Sequence, residues 1–94
     1  MSGPKHPASP LRGEVDLATV DRVREELLAY VRASSDDPVV IDCSELDFIG
    51  STGIGMLLGV RRETSKRLSL VNLNERCRRV FEITGMEELL DGSS

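Results

Sequence analysis

Residues 39–58 constrain the fold of this chain more than any other stretch. An apolar, β-branched run, Val39-Val40-Ile41, ends in Asp42-Cys43-Ser44-Glu45. A tight loop then leads to Ser51-Thr52, and an apolar run with helical spacing follows. A short β-branched run bounded by polar residues reads as a buried strand, so the segment is strand, loop and helix in that order. Two hydroxyls, Ser51 and Thr52, sit among glycines at the loop-to-helix junction. The first turn of a helix has unpaired N–H groups and the positive end of the dipole, a setting that favours an anion. A serine placed there is a candidate for phosphorylation. On these residues alone, a helix cap is the simpler reading of Ser51.

The flanking sequence repeats the alternation. Val20, Val23, Leu27 and Val31 recur at helical spacing, with Asp21, Arg22, Arg24, Glu25 and Glu26 on the other side. This predicts an amphipathic helix over 17–33, with Asp16 as its N-cap and 34–38 as its end. A second helix is expected from Thr52 or Gly53 to about 64, burying Ile54, Leu57, Leu58 and Val60. Residues 68–73 read as the next strand. Asn74 is expected to cap a third helix with Cys77, Val80, Phe81 and Ile83 inward, Gly85 to close it, and 86–90 to add one more turn. Residues 1–10 contain Pro4, Pro7 and Pro10 and are expected to form a flexible lead, leaving room for a short strand near Leu11-Arg12. The domain is expected over 11–94. Strands alternating with helices give an α/β class: a single small domain with a mixed, mostly parallel sheet and right-handed crossovers.

Charge and residue inventory exclude several functions. The 94 residues carry a net charge of −4, with ten acidic and five basic side chains in 1–50 and six and seven in 51–94. That distribution lacks the concentrated basic face that nucleic acid requires. Arg61, Arg62, Lys66, Arg67, Arg76, Arg78 and Arg79 are the candidates for a local basic patch, and a solvated set of helix faces is the plainer reading. His6 is the only histidine and lies in the lead, so neither a Ser-His-Asp triad nor a histidine-activated cysteine is expected. Ligands for a metal are too few. No cofactor is expected either: the glycines at 53, 55 and 59 fit neither the dinucleotide nor the phosphate-loop spacing. Cys43 and Cys77 read as buried thiols of a reducing compartment. With no secretory or membrane-spanning run, a cytoplasmic location and no membrane contact are expected.

The junction Phe48-Ile49-x-Ser51-Thr52-Gly53-Ile54-Gly55, after a strand and an acidic turn, resembles the STAS domain family and, within it, the bacterial anti-anti-sigma factors. Gly13-Glu14-Val15-Asp16 is similar to that family's Gly-Glu-Leu-Asp opening, and Leu68-Ser69-Leu70-Val71-Asn72-Leu73 to its next strand. Val80-Phe81-Glu82-Ile83-Thr84-Gly85-Met86 is similar to the end of its third helix. The resemblance covers roughly residues 11–90 and implies a STAS fold shortened at both ends. It implies an anti-sigma factor antagonist that binds rather than catalyses. Its partner would be an anti-sigma factor with serine kinase activity that phosphorylates Ser51, with Thr52 as the alternative acceptor or a cap. A serine phosphatase would reset the switch. Asp16, Asp47, Gly50, Ser51, Thr52, Gly53, Ile54 and Gly55 would form the partner-binding surface. Asp42 is expected near the same edge and to need a hydrogen-bond partner. Many switchable members carry Asp before the serine where this chain has Gly50, here read as supplying a positive φ for the turn. Gly53 and Gly55 are read as allowing close backbone approach. Exposed sheet edges imply weak self-association. A non-switching STAS module in a signalling scaffold or transport assembly is the alternative.

Overall fold

The computed structural model describes residues 9–86. Seven elements follow one another: β1 (Gly13–Val15), α1 (Val20–Ala33), β2 (Val39–Asp42), β3 (Leu46–Ile49), α2 (Ser51–Thr64), β4 (Leu68–Val71) and α3 (Glu75–Thr84). The strands form two parallel pairs, β1 with β3 and β2 with β4. Val39 to Asp42 run in step with Leu68 to Val71. Between β1 and β3 the register slips: Gly13 faces Leu46, but Glu14 faces Phe48, so Asp47 is the extra residue of a bulge. Gly13 takes φ 67° at this point, a conformation that suits glycine.

An aliphatic core joins these elements. Leu11, Val15, Leu27, Val31, Ile41, Ile49, Leu57, Val60 and Phe81 are fully buried. The buried stripe Val23, Leu27, Leu28 and Val31 seats α1 against α2. Ile54, Met56, Leu57 and Val60 seat α2, while Leu58 is half-buried. Cys77 and Phe81 seat α3 against β3. The helices are also tied at their ends. Glu63 on α2 takes Arg24 at 2.6 Å and Arg32 at 3.1 Å, both from α1. Lys66 Nζ donates to the carbonyls of Val31 and Ser34 at the C-terminal end of α1, beside the Ser34 N–H that also bonds Val31.

Several expectations need correction. Residues 46–49 form a strand, not a loop; the bulge at Asp47 breaks the alternation that would have revealed it. The first helix begins at Val20 with Thr19 as its N-cap residue. Asp16 instead closes the preceding turn, its Oδ1 accepting the N–H groups of Ala18 at 3.0 Å and Thr19 at 3.2 Å. Leu11-Arg12 is no strand, although Leu11 is fully buried. Asn74 does cap α3, its Oδ1 accepting the Cys77 N–H at 2.8 Å, and Gly85 closes it at φ 75°. Ile83 is 77% exposed rather than inward, because the stripe through Cys77 and Phe81 already defines the buried side. The extra turn expected over 86–90 lies, beyond Met86, outside the described residues, as do most of the expected lead and the end of the expected domain.

Candidate functional site

The candidate site forms where β1 and β3 end side by side. Parallel pairing puts Val15 opposite Ile49, and the Gly50 N–H donates to the Val15 carbonyl at 3.2 Å. Asp16 therefore lies beside Gly50. One residue separates β3 from α2, so Ser51 is held by a strand on one side and a helix on the other. Gly50 is the N-cap residue at φ −93°, ψ −178°, which is extended backbone open to any residue, so it does not supply a positive φ. A Cβ added there would lie 3.6 Å from Phe48 Cε2, an ordinary contact. An aspartate is sterically welcome at this position.

Ser51 and Thr52 are the first two residues of α2, and both are exposed. No side-chain cap closes this helix start, and its first turn contains no acid, so neither hydroxyl acts as the cap expected of it. The opening N–H groups and the positive dipole end are therefore unmatched by any side-chain cap or first-turn acid. The two following glycines differ. A Cβ at Gly53 would lie 2.5 Å from Ile49 Cγ1 and 2.9 Å from Val15 Cγ1, so a hydrogen is all that fits between α2 and the strand pair. At Gly55 an added Cβ meets nothing within 4 Å, and the expected close approach has no counterpart among the described residues. Ile54 is buried; together with Gly53 it fixes the height of α2 from within.

The turn after β1 is tightly hydrogen-bonded. Thr19 Oγ1 accepts the Asp16 N–H at 3.0 Å and donates to the Glu14 carbonyl at 2.9 Å. With the Asp16 carboxylate bonds, this fixes the loop that presents Leu17, which is 81% exposed. Sequence reading did not single out Leu17, because the exposure of an apolar residue at a turn leaves no periodic signal. A large apolar side chain held in water on a rigid turn is the kind of anchor that interfaces use.

Neither Asp42 nor Asp47 makes a described hydrogen bond to Ser51. Asp42 ends β2 in the other strand pair; it is exposed and accepts from Asn72 Nδ2 at 3.0 Å, Ser44 N at 3.0 Å and Ser44 Oγ at 3.1 Å. The bond from Asn72, then that from the Ser44 N–H, holds its carboxyl below the ordinary value of 3.8. Asp47 occupies the bulge, and its carbonyl accepts from Asn74 Nδ2 at 3.3 Å, next to the start of α3. Burial, reinforced by the Asp42 charge, pushes the Cys43 thiol up to about 12, and burial also raises that of Cys77. Thiols of this kind are poor nucleophiles. Among the described residues no group of three His, Cys, Asp or Glu side chains is placed to hold a metal ion, and no helix is long and apolar enough to cross a membrane.

Comparison with known proteins agrees with this architecture. The family model described as "Mlab, STAS domain" matches residues 4–91. The chain is 30% identical over 87 residues to a protein named anti-sigma-B factor antagonist from Bacillus subtilis (strain 168), covering 89% of this chain and 78% of that one. It is 33% identical over 82 residues to a protein of the same name from Listeria monocytogenes serovar 1/2a, covering 84% and 71%. A third of that name, from Staphylococcus epidermidis, is 31% identical over 81 residues, covering 83% and 74%.

Proposed function

The chain belongs to the STAS domain family, and from that membership we propose that it is an anti-sigma factor antagonist: it binds an anti-sigma factor and thereby frees a sigma factor. The observation that carries this reading is the shared name of relatives that match most of the chain. The site supports it in kind, being an exposed, rigid surface rather than a catalytic pocket. Activity by binding, with no turnover and no cofactor, follows, and a cytoplasmic location fits such a role.

In this reading the partner is an anti-sigma factor that is also a serine kinase. It contacts Asp16, Ser51, Thr52 and the open flank at Gly55, with the Asp47 strand nearby. Gly50, Gly53 and Ile54 serve by setting where α2 starts. The kinase phosphorylates Ser51, and a serine phosphatase reverses the step. A phosphate adds about −1.5 to −2 charges and three acceptor oxygens at the centre of the contact. Within a closed interface it repels neighbouring acids and must be desolvated. A coupling of about 1–3 kcal/mol lowers affinity roughly fivefold to 150-fold. Weak self-association through unpaired strand edges would compete with the partner only at high concentration.

Gly50 favours a second reading, the non-switching module of a scaffold or transport assembly, because the aspartate common in switchable members is missing. The test uses wild-type, Ser51→Ala and Ser51→Glu baits on native lysate, followed by calorimetry with the recovered partner. A kinase-like anti-sigma protein held by the first two and lost by the third supports the switch. Equal recovery of some other protein by all three supports the scaffold. Gly50→Asp, which the backbone accepts without strain, should raise the rate of Ser51 phosphorylation if the missing carboxylate matters.

A further inference from the structure

The groove between β3 and α3 is lined by more cations than anions, although the chain as a whole is acidic. It encloses about 330 Å³ and is lined by Phe48, Glu75, Arg76, Arg79, Val80 and Ile83. Its apolar part is Phe48 and Val80, both half-buried, with Ile83 77% exposed. Arg76, Val80 and Ile83 stand at i, i+4 and i+7 on α3, a stripe distinct from the Cys77–Phe81 stripe that enters the core. The Arg76 guanidinium lies 5.4 Å from the Phe48 ring centroid, which holds the cation at the groove.

Charge identifies what would fit. Several other cations are engaged elsewhere: Lys66 closes α1, Arg67 pairs with Asp37, and Arg24 and Arg32 share Glu63. Among the described residues no carboxylate pairs with Arg76 or Arg79. The lining carries two cations against one anion, Glu75, and Glu75 sits in the first turn of α3 where the dipole already stabilises it. An apolar channel with two guanidinium groups that no described carboxylate neutralises complements a segment that presents leucines flanked by carboxylates.

We propose that this groove docks an acidic, leucine-bearing segment of a partner protein. A nucleic acid fits it poorly, because α3 also carries Glu75 and Glu82 and the cations follow no extended stripe. Phe48 links the groove to the start of α2, its ring standing at ordinary contact distance from the place of a Gly50 side chain. One protein can therefore cover both. That it is the same anti-sigma partner rests on the reading given above; the groove's preference for an acidic segment does not.

The test is a titration of isotope-labelled full chain with a synthetic helical peptide carrying leucines at i and i+4 among glutamates. Its control is the same peptide with lysine for glutamate. NMR follows the Arg76 and Arg79 Nε–H groups, the Phe48 ring and the Ile83 methyls. The expected result is saturable shifts at these groups with the acidic peptide only, weakened about tenfold or more by Arg76→Glu with Arg79→Glu. Ile83→Ser, which alters an exposed side chain and leaves the fold intact, should weaken binding severalfold. Ser51→Glu should leave peptide affinity within about twofold. Absence of saturation at about 1 mM peptide, an equal response to the lysine peptide, or tighter binding of poly(U) or anionic vesicles to the same groups overturns the proposal. Loss of the anti-sigma partner on Ser51→Glu without any peptide response would sink the groove and leave the antagonist reading standing. A groove response with no effect of Ser51→Glu on any partner would do the reverse.

Discussion

Replacing Gly53 by alanine tests how the candidate site is held. The added methyl would sit 2.5 Å from Ile49 Cγ1, 2.9 Å from Val15 Cγ1 and 3.0 Å from Ile49 Cδ1. Ordinary carbon contacts lie at about 3.5–4.0 Å, so α2 must retreat by roughly 1 Å or the strands must yield. Val15 and Ile49 are fully buried, so neither can swing into solvent to make room. Overpacking of this kind costs about 1–3 kcal/mol, and three simultaneous contacts argue for the upper half of that range. Against it stands the gain of about 1 kcal/mol when alanine replaces glycine in a helix. The net is a loss of roughly 1–2 kcal/mol. Gly55→Ala supplies the control, for its methyl meets nothing within 4 Å and it should gain up to about 1 kcal/mol. In a domain of this size 1 kcal/mol moves the midpoint by about 4–8 °C. Gly53→Ala should therefore melt roughly 4–15 °C below wild type by circular dichroism and Gly55→Ala a few degrees above it. Equal stability of the two variants would show that the helix-to-strand spacing is not set by Gly53.

Three further outcomes follow from the same contacts. Asn72→Gly keeps the backbone at φ 63° while removing the bond to Asp42. Followed by NMR, the Asp42 carboxyl should rise toward 3.8. Because the folded value is depressed, that bond stabilises the fold above the unfolded value and is lost as pH falls through the folded one, so the stability difference between variant and wild type should begin to shrink near pH 3.8 and vanish only below the folded value. A thiolate-directed reagent should label neither Cys43 nor Cys77 until the domain opens, since burial raises both thiols; rapid labelling of native protein at pH about 8 would contradict their placement. Ser51→Glu should leave the isolated domain unchanged or up to about 1 kcal/mol more stable in urea, because the new carboxylate meets the uncapped start of α2.

Much of this architecture was legible in the sequence, and the parts that were not have identifiable causes. The helical spacing of Val23, Leu27 and Val31 and the polar punctuation by Asn74 and Gly85 are local signals, and the structure follows them. The strand at 46–49 was hidden because the bulge at Asp47 shifts the alternation by one residue, and its partner lies more than thirty positions away. Asp16 has the composition of a helix cap but stands one turn too early, since Thr19 intervenes with bonds to both Asp16 and Glu14. Of the site, the junction itself could be read from Ser51 and its glycines. Leu17 and the groove at Phe48 could not, because exposure of an apolar residue depends on what the folded chain leaves uncovered.

The geometry also constrains how a modification at Ser51 can act. A phosphate on the first residue of α2 meets unpaired N–H groups and the positive end of the helix, so within the isolated domain it is favoured rather than strained. The side chain is exposed and makes no described hydrogen bond whose loss would loosen the core. Gly53 pins the same helix against Val15 and Ile49 from below. The proposed phosphate therefore has no evident way to unlock the fold. Its effect must fall on whatever approaches the surface, through repulsion and desolvation inside the contact. A switch of that kind requires a surface that does not adapt, and the one-residue link from β3 to α2, with the bonded turn at Asp16, provides it. If Ser51→Glu abolished partner binding while also lowering domain stability by several kcal/mol, the rigid-surface account would fail and an order-to-disorder mechanism would replace it.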